Sequence, residues 1–347
     1  MSGVGDRPVG VALIGSGRMG SFHGETLSRR IPGARLVAVA DPAPGAAERA
    51  AGVLGADRAY TDVSALWDDP AVDAVVVATP ARTHAGLVVA AAGAGKGVFC
   101  EKPMAVTPAE ADEATDAARA AGIVLQVGFN RRFAADWVAA RQMIDAGRLG
   151  TPRLLRSVTR DPGGFDPSRV LPDTVFLETL IHDFDTLRFL NPGAEAVEVF
   201  AAADALVETE WRDRGLLDTA VVVVRFDNGA IATAEACFEA AYGYDVRGEV
   251  LGSGGMVQMG DGRRTGMTFS DAAGRSVETV RGDQELFPDA YTAELAAFVD
   301  AVRTGTPAPV TGADARGALA IALAAADSVR AGRPVRIDPV RVDEVQK

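Results

Sequence analysis

A chain of 347 residues, 48% hydrophobic and with a formal net charge of −12, is long enough for two domains with sizeable cores. The acidic balance argues against nucleic acid or an anionic membrane as a partner, and is no obstacle to a neutral sugar or polyol. No apolar run reaches the length of a membrane span, no apolar leader opens the chain, and the two cysteines, Cys100 and Cys237, lack metal-ligand spacing; a soluble, cytoplasmic, metal-free protein is expected.

Residues 1–7 read as a loose tail. Residues 9–14 are a continuous apolar run and predict a buried strand. Gly15-Ser16-Gly17-Arg18-Met19-Gly20 follows, then a helical stretch, then a second apolar run over 36–40 that ends in Asp41, 21 residues past Gly20. Strand, glycine turn, helix and second strand with a terminal acid form the dinucleotide-binding fingerprint in its full context. Gly15 permits the sharp turn, Gly17 lets backbone approach a pyrophosphate, and Gly20 lets the helix pack closely. Free N–H groups at the helix start favour the anion. The Asp41 carboxylate suits ribose hydroxyls and would repel a 2′-phosphate, which points to NAD; Arg18, inside the turn, weakens that preference.

Strand and helix signals then alternate. A helix is expected over 45–54, strands over 74–78, 97–100 and 124–127, and a helix over 108–121. The repetition predicts a doubly wound parallel sheet over residues 8–127. A helix over 134–147 and a strand over 154–158 open a second domain, placed at 128–337. There Asp227-Asn228-Gly229 joins two strand-like runs, 220–226 and 230–237, and the Asn-Gly pair is a strong hairpin signal. A second hairpin is read over 244–259. Helices over 290–304 and 313–331 and a strand over 334–337 close an α+β domain with a large, mostly antiparallel open sheet. One face of that sheet is a candidate subunit interface.

The chain has three histidines. His23 and His84 follow the turns after predicted strands and read as structural or helix-start residues. His182 lies in an apolar-periodic stretch, 177–190, where a continuous helix would put Glu178 on the same face, four residues earlier. A carboxylate beside an imidazole fixes its tautomer, as a general base near neutrality requires. Lys102 follows a strand's carboxyl end, where open α/β sheets bind ligands. It can polarise a substrate oxygen or help move its proton.

Taken together, Gly15-x-Gly17-x-x-Gly20, Thr79-Pro80 with His84, Glu101-Lys102-Pro103 and the His182 segment resemble the Gfo/Idh/MocA oxidoreductase family, over about residues 9–337. Residues 128–133, 160–162, 181–185 and 242–245 resemble its inositol 2-dehydrogenase branch. The resemblance implies an NAD-dependent dehydrogenase of a cyclic polyol, inositol first, working as a dimer or tetramer. It implies Lys102 and His182 as catalytic residues, with Glu178 where the family has an aspartate. It implies cofactor contacts from Ser16, Arg18, Met19, Thr79, Pro80, His84, Glu101 and Lys102. Substrate contacts are implied from Lys102, Arg131 or Arg132, Asp161, His182, and Tyr242 or Tyr244. The Glu178 departure, and the missing glycine pair in residues 170–176, keep open a hexose or anhydrosugar dehydrogenase. A non-catalytic NAD-sensing regulator is the rival from another class, and intact Lys102 and His182 argue against it.

Overall fold

Residues 9–14 carry no charged side chain and can be buried on both faces, as an inner parallel strand must be. In the computed structural model, which describes residues 7–166, 168 and 170–337, this run is β1 (Val9–Ile14), buried throughout. After it come α1 (Arg18–Arg29), β2 (Ala34–Ala40), α2 (Ala46–Leu54), β3 (Arg58–Tyr60), β4 (Ala74–Val77), α3 (His84–Gly93), β5 (Gly97–Glu101), α4 (Pro108–Ala121) and β6 (Leu125–Gly128). The strands form one parallel sheet in the order β3-β2-β1-β4-β5-β6. The order reverses beside β1, which puts a ligand crevice at the carboxyl ends of β1 and β4. Helix α4 starts on a capping box, Thr107 with Glu110, and has proline at its first position. Arg7, expected in a loose tail, forks onto Asp73 with two 2.7 Å hydrogen bonds; residues 1–6 of that tail lie outside the described residues.

The second unit begins with α5 (Ala135–Asp145) and β7 (Pro152–Arg160), then α6 (Leu180–Phe189), β8 (Ala196–Asp204), β9 (Thr219–Phe226), β10 (Ile231–Cys237), β11 (Asp245–Gly252) and β12 (Met256–Met259). A two-stranded ribbon, β13 (Arg263–Asp271) with β14 (Gly274–Thr279), and a single turn, α7 (Asp283–Leu286), follow. The main sheet has seven strands in the order β12-β11-β7-β10-β9-β8-β15, the last being β15 (Val335–Arg336). Only β7 and β10 pair in parallel; β9 and β10 form the hairpin expected around Asn228-Gly229, and β11 and β12 the second. Alternation of buried and exposed residues along β9 marks one covered face and one open face.

Helix α8 (Pro288–Thr304) precedes α9 (Gly312–Ala331). Its apolar stripe does not stay with the second unit. Leu295, Phe298, Val299 and Val302 share one core with Val11, Leu13, Leu27 and Phe99. Among the described residues the two units are accordingly those up to Phe133 with 289–316, and 134–288 with those from Gly317 onward. The expected division, 8–127 and 128–337, lacks this return, because a helical stripe shows that a face will be buried but not against what.

The stretch expected as one helix over 177–190 also differs. Val175–Thr179 is a turn of π-helix, and α6 starts only at Leu180. Such wide turns sit within helices often at functional positions.

Candidate active site

The glycine turn has the geometry its residues demand. Gly15 holds φ at +92°, and a Cβ there would stand 2.6 Å from the Ala78 carbonyl oxygen. A Cβ on Gly20 would lie 1.9 Å from the Gly15 carbonyl oxygen, so only glycine fits. Gly17, the N-cap of α1, has nothing within 4 Å of a Cβ position. The turn thus leaves an open backbone cradle at a helix N-terminus, which suits a pyrophosphate. Arg18 and Met19 form the first turn of α1 beside it.

The acid at the end of β2 is tied to the same turn. Asp41 Oδ2 accepts the Ser16 N–H at 2.8 Å and the Ser16 hydroxyl at 2.7 Å, and Oδ1 accepts the Ala43 N–H at 2.9 Å. Burial works to raise the pKa of this carboxyl, but the Ser16 and Ala43 hydrogen bonds and the charge of Arg49 outweigh it and hold it below the ordinary value. A fixed anion beside the glycine turn suits ribose hydroxyls, so the donor set and the cradle fit NAD. Arg49, on α2, is a cation near Asp41 that spacing from the fingerprint did not bring to notice.

The turn carrying Lys102 is gripped on both sides. The Lys102 N–H donates to Glu101 Oε2 at 3.1 Å, and His23 Nε2 meets Glu101 Oε1 at 2.6 Å. On the far side the His84 ring contacts the Pro103 carbonyl oxygen at 2.8 Å and the Thr79 carbonyl oxygen at 2.7 Å. His84 is buried and each of its ring nitrogens meets a main-chain carbonyl, so it braces two turns. Glu101 is likewise turned inward and buried. Thr79 Oγ1 pairs with Thr83 Oγ1 at 2.7 Å, and the Thr83 hydroxyl also reaches the Pro80 carbonyl oxygen at 2.8 Å. Arg131 is buried, and Arg132 forms an ion pair with Asp314 at 3.0 Å. Burial favours the neutral form of the Asp314 carboxyl; Arg132 and the Thr311 hydrogen bonds more than reverse that and lower its pKa.

In the second unit, His182 sits half-buried in the first turn of α6 and Glu178 is exposed on the π-turn. The wide turn changes the helical phase between them, so the simple same-face argument for a continuous helix does not apply unaltered. Asp183, next to His182, is fully buried and takes the Ser157 hydroxyl at 2.5 Å and the Thr159 hydroxyl at 2.7 Å, both from β7. It pins α6 to the sheet at the residue beside the histidine, a role no local signal announces. Asp173, five residues before Glu178, is engaged by Arg330 at 2.9 Å. Asp161 is held through its main chain: its N–H donates to Cys237 at 2.9 Å, and its carbonyl accepts from Ala240 at 2.7 Å. Tyr242 and Tyr244 line a hollow of about 260 Å³ with Asp245 and Arg247. The Tyr242 hydroxyl donates to Asp245 at 2.7 Å and accepts from Arg160 at 3.2 Å.

Residues 9–129 match the model of an oxidoreductase family with an NAD-binding Rossmann fold, and residues 137–258 match the GFO/IDH/MocA C-terminal domain. The chain is 36% identical to scyllo-inositol 2-dehydrogenase (NAD(+)) of Bacillus subtilis, over 97% of this chain and 98% of that protein. It is 38% identical to myo-inositol 2-dehydrogenase of Thermotoga maritima, over 95% and 99% respectively. Among solved structures it is similar to a myo-inositol dehydrogenase of Lactobacillus casei in complex with NAD(H) and myo-inositol. That likeness has a TM-score of 0.89 and 28% identity, covering 97% of this chain and 98% of that one.

Proposed function

This chain belongs to the Gfo/Idh/MocA family of oxidoreductases, and on that premise we propose that it is an NAD-dependent dehydrogenase oxidising a secondary hydroxyl of a cyclic polyol, with inositol the leading substrate. The observation that carries this is the glycine turn bonded to Asp41, in a chain that aligns end to end with inositol 2-dehydrogenases. NAD, when bound, supplies the acceptor for the hydride that leaves the carbinol carbon. The Gly15–Gly20 backbone and Asp41 would hold it. In this reading His182 takes the hydroxyl proton, Lys102 donates a hydrogen bond to the same oxygen as negative charge develops on it, and Glu178 orients the imidazole. Arg131, Asp161 and the Tyr242–Tyr244 strand end are the residues proposed to select the polyol.

Glu178 on its π-turn, where the resemblance calls for an aspartate, favours a second reading: a hexose or anhydrosugar in place of inositol. The test is reduction of NAD, followed by absorbance, across inositol isomers, hexoses and anhydrosugars. Turnover on inositols supports the first reading, turnover only on hexoses or anhydrosugars the second, and NAD binding without turnover on any member refutes both.

The open face of the second unit's sheet supports self-association. Ile231, Leu154, Leu251 and Met256 stand opposite one another across β10, β7, β11 and β12, and each is between 37% and 52% exposed. A contiguous apolar row on a sheet face calls for a cover, and a second copy of the chain is the proposed one. Among the described residues no helix is long and apolar enough to cross a membrane, and both cysteines are free thiols, which supports a cytoplasmic setting.

A further inference from the structure

Three side chains far apart in sequence meet inside the first unit. One atom each of His23 on α1, Glu101 at the end of β5 and Glu294 on α8 lie within 4.8 Å of one another, all three residues buried. Burial pushes the pKa of Glu101 up, but its contacts with His23 and the charge of Lys102 bring it below the ordinary value, so it is a carboxylate. A carboxylate has no proton to give; His23 Nε2 must therefore donate in the 2.6 Å contact. Burial and the Glu101 charge push the pKa of Glu294 well up, which favours its neutral form. Neither Glu294 oxygen has a hydrogen-bond partner. A leucine would fill such a place without an unpaired polar group, so the acid calls for an explanation.

The Glu101 carboxylate has two oxygens and two donors. One oxygen takes His23 and the other takes the N–H of Lys102. Rotation of the carboxylate would break both. The site is shaped for this arrangement: a Cβ on Gly128 would stand 3.3 Å from Glu101 Oε1, so glycine there makes room. Phe99 and Tyr291 pack against the imidazole in T-shaped contacts, at 5.5 and 5.9 Å between centroids. His23 is thereby fixed in orientation, and it fixes Glu101.

We infer that His23 is a positioning residue for Lys102, acting through the Glu101 carboxylate. The inference rests on the role proposed above for Lys102. Its consequence is that the histidine following the dinucleotide turn serves the chemistry of a residue 79 positions later, not the cofactor.

The test compares His23→Leu, His23→Gln, Glu101→Gln, Lys102→Ala and the His23→Leu/Lys102→Ala double variant with the wild type. Each is measured for kcat, KM, NAD affinity and stoichiometry by calorimetry, and melting temperature. His23→Leu should lower kcat per NAD-binding site by ~10- to 100-fold while KM and NAD affinity stay within about twofold, since displacement of a positioned group by about an ångström has effects of that size. His23→Gln, whose amide N–H can reach Glu101, should recover most of the rate. Glu101→Gln offers one acceptor to two donors and should fall as His23→Leu does; it carries the test should His23→Leu fail to fold. The double variant should be no slower than Lys102→Ala. A His23→Leu or Glu101→Gln enzyme with the wild-type kcat per NAD site, a His23→Gln enzyme as slow as His23→Leu, or full additivity in the double variant overturns the inference. A Lys102→Ala enzyme that stays active overturns the role of Lys102 and this inference with it; an inactive Lys102→Ala enzyme beside a fully active His23→Leu enzyme overturns this inference alone.

Discussion

The glycine turn makes opposite demands at two positions three residues apart, and a pair of alanine substitutions separates them. At Gly17 a methyl group meets nothing within 4 Å, and the backbone, φ −67° and ψ −166°, is in a region open to any residue. Alanine is a poorer N-cap than glycine by a few tenths to ~1 kcal/mol, and the stiffer unfolded chain returns ~0.4–1 kcal/mol. The net change in stability is within about 0.5 kcal/mol, and the melting temperature should move by less than about 2 °C. The same methyl stands where the pyrophosphate must approach the backbone. Loss of one charge-assisted N–H contact, worth ~1.5–3 kcal/mol, weakens NAD binding about 10- to 100-fold. At Gly20 the methyl would be 1.9 Å from the Gly15 carbonyl oxygen, so backbone must move. The cost is ~3 kcal/mol or more, paid in stability. Calorimetric NAD titration and thermal melts of both variants read the two effects. A Gly17→Ala protein with wild-type NAD affinity, or a Gly20→Ala protein with wild-type melting temperature, would refute the reasoning.

Asp41→Ala removes the anion that faces a 2′-phosphate and should shift the NAD-to-NADP ratio of kcat/KM towards NADP by ~10-fold or more; a wild type that already prefers NADP contradicts the role given to Asp41. Glu294 should leave a signature in stability against pH. Its folded pKa is raised, so above the unfolded value, 4.5, the folded state alone retains the proton and stability declines as pH rises towards the folded pKa. The melting temperature of Glu294→Gln relative to wild type should therefore climb as pH rises above 4.5, and a constant difference would show that Glu294 is not held neutral. Leu154→Glu places a charge in the apolar row of the open sheet face. Light scattering should report a smaller assembly with each protomer still folded, and an unchanged assembly places the interface elsewhere.

Local signals account for much of the fold. The uninterrupted apolar runs of β1 and β4 can only be inner strands, and the turn at Asn228-Gly229 sets the pairing of β9 with β10. The π-turn at 175–179 was not legible, because the apolar spacing of 177–190 suits a plain helix and the extra residue per turn arises from packing. The parallel contact of β7 with β10, from strands about 77 residues apart, has no local signature either. The same is true of α8, whose stripe through Leu295, Phe298 and Val302 would suit any apolar surface.

The candidate site divides in the same way. Chemistry confined to a few consecutive residues was written in the sequence: the glycine turn, and Glu101-Lys102-Pro103. Backbone conformation there depends on residues that are neighbours along the chain, so φ preferences and missing side chains are enough to define it. Which groups support those residues was decided only by the tertiary structure. His23, Glu101 and Glu294 come together across 271 positions, Asp183 reaches back to β7, and His84 joins two turns. A buried polar group must find partners wherever the packed core presents them, and one sequence does not record which distant segments the core brings side by side.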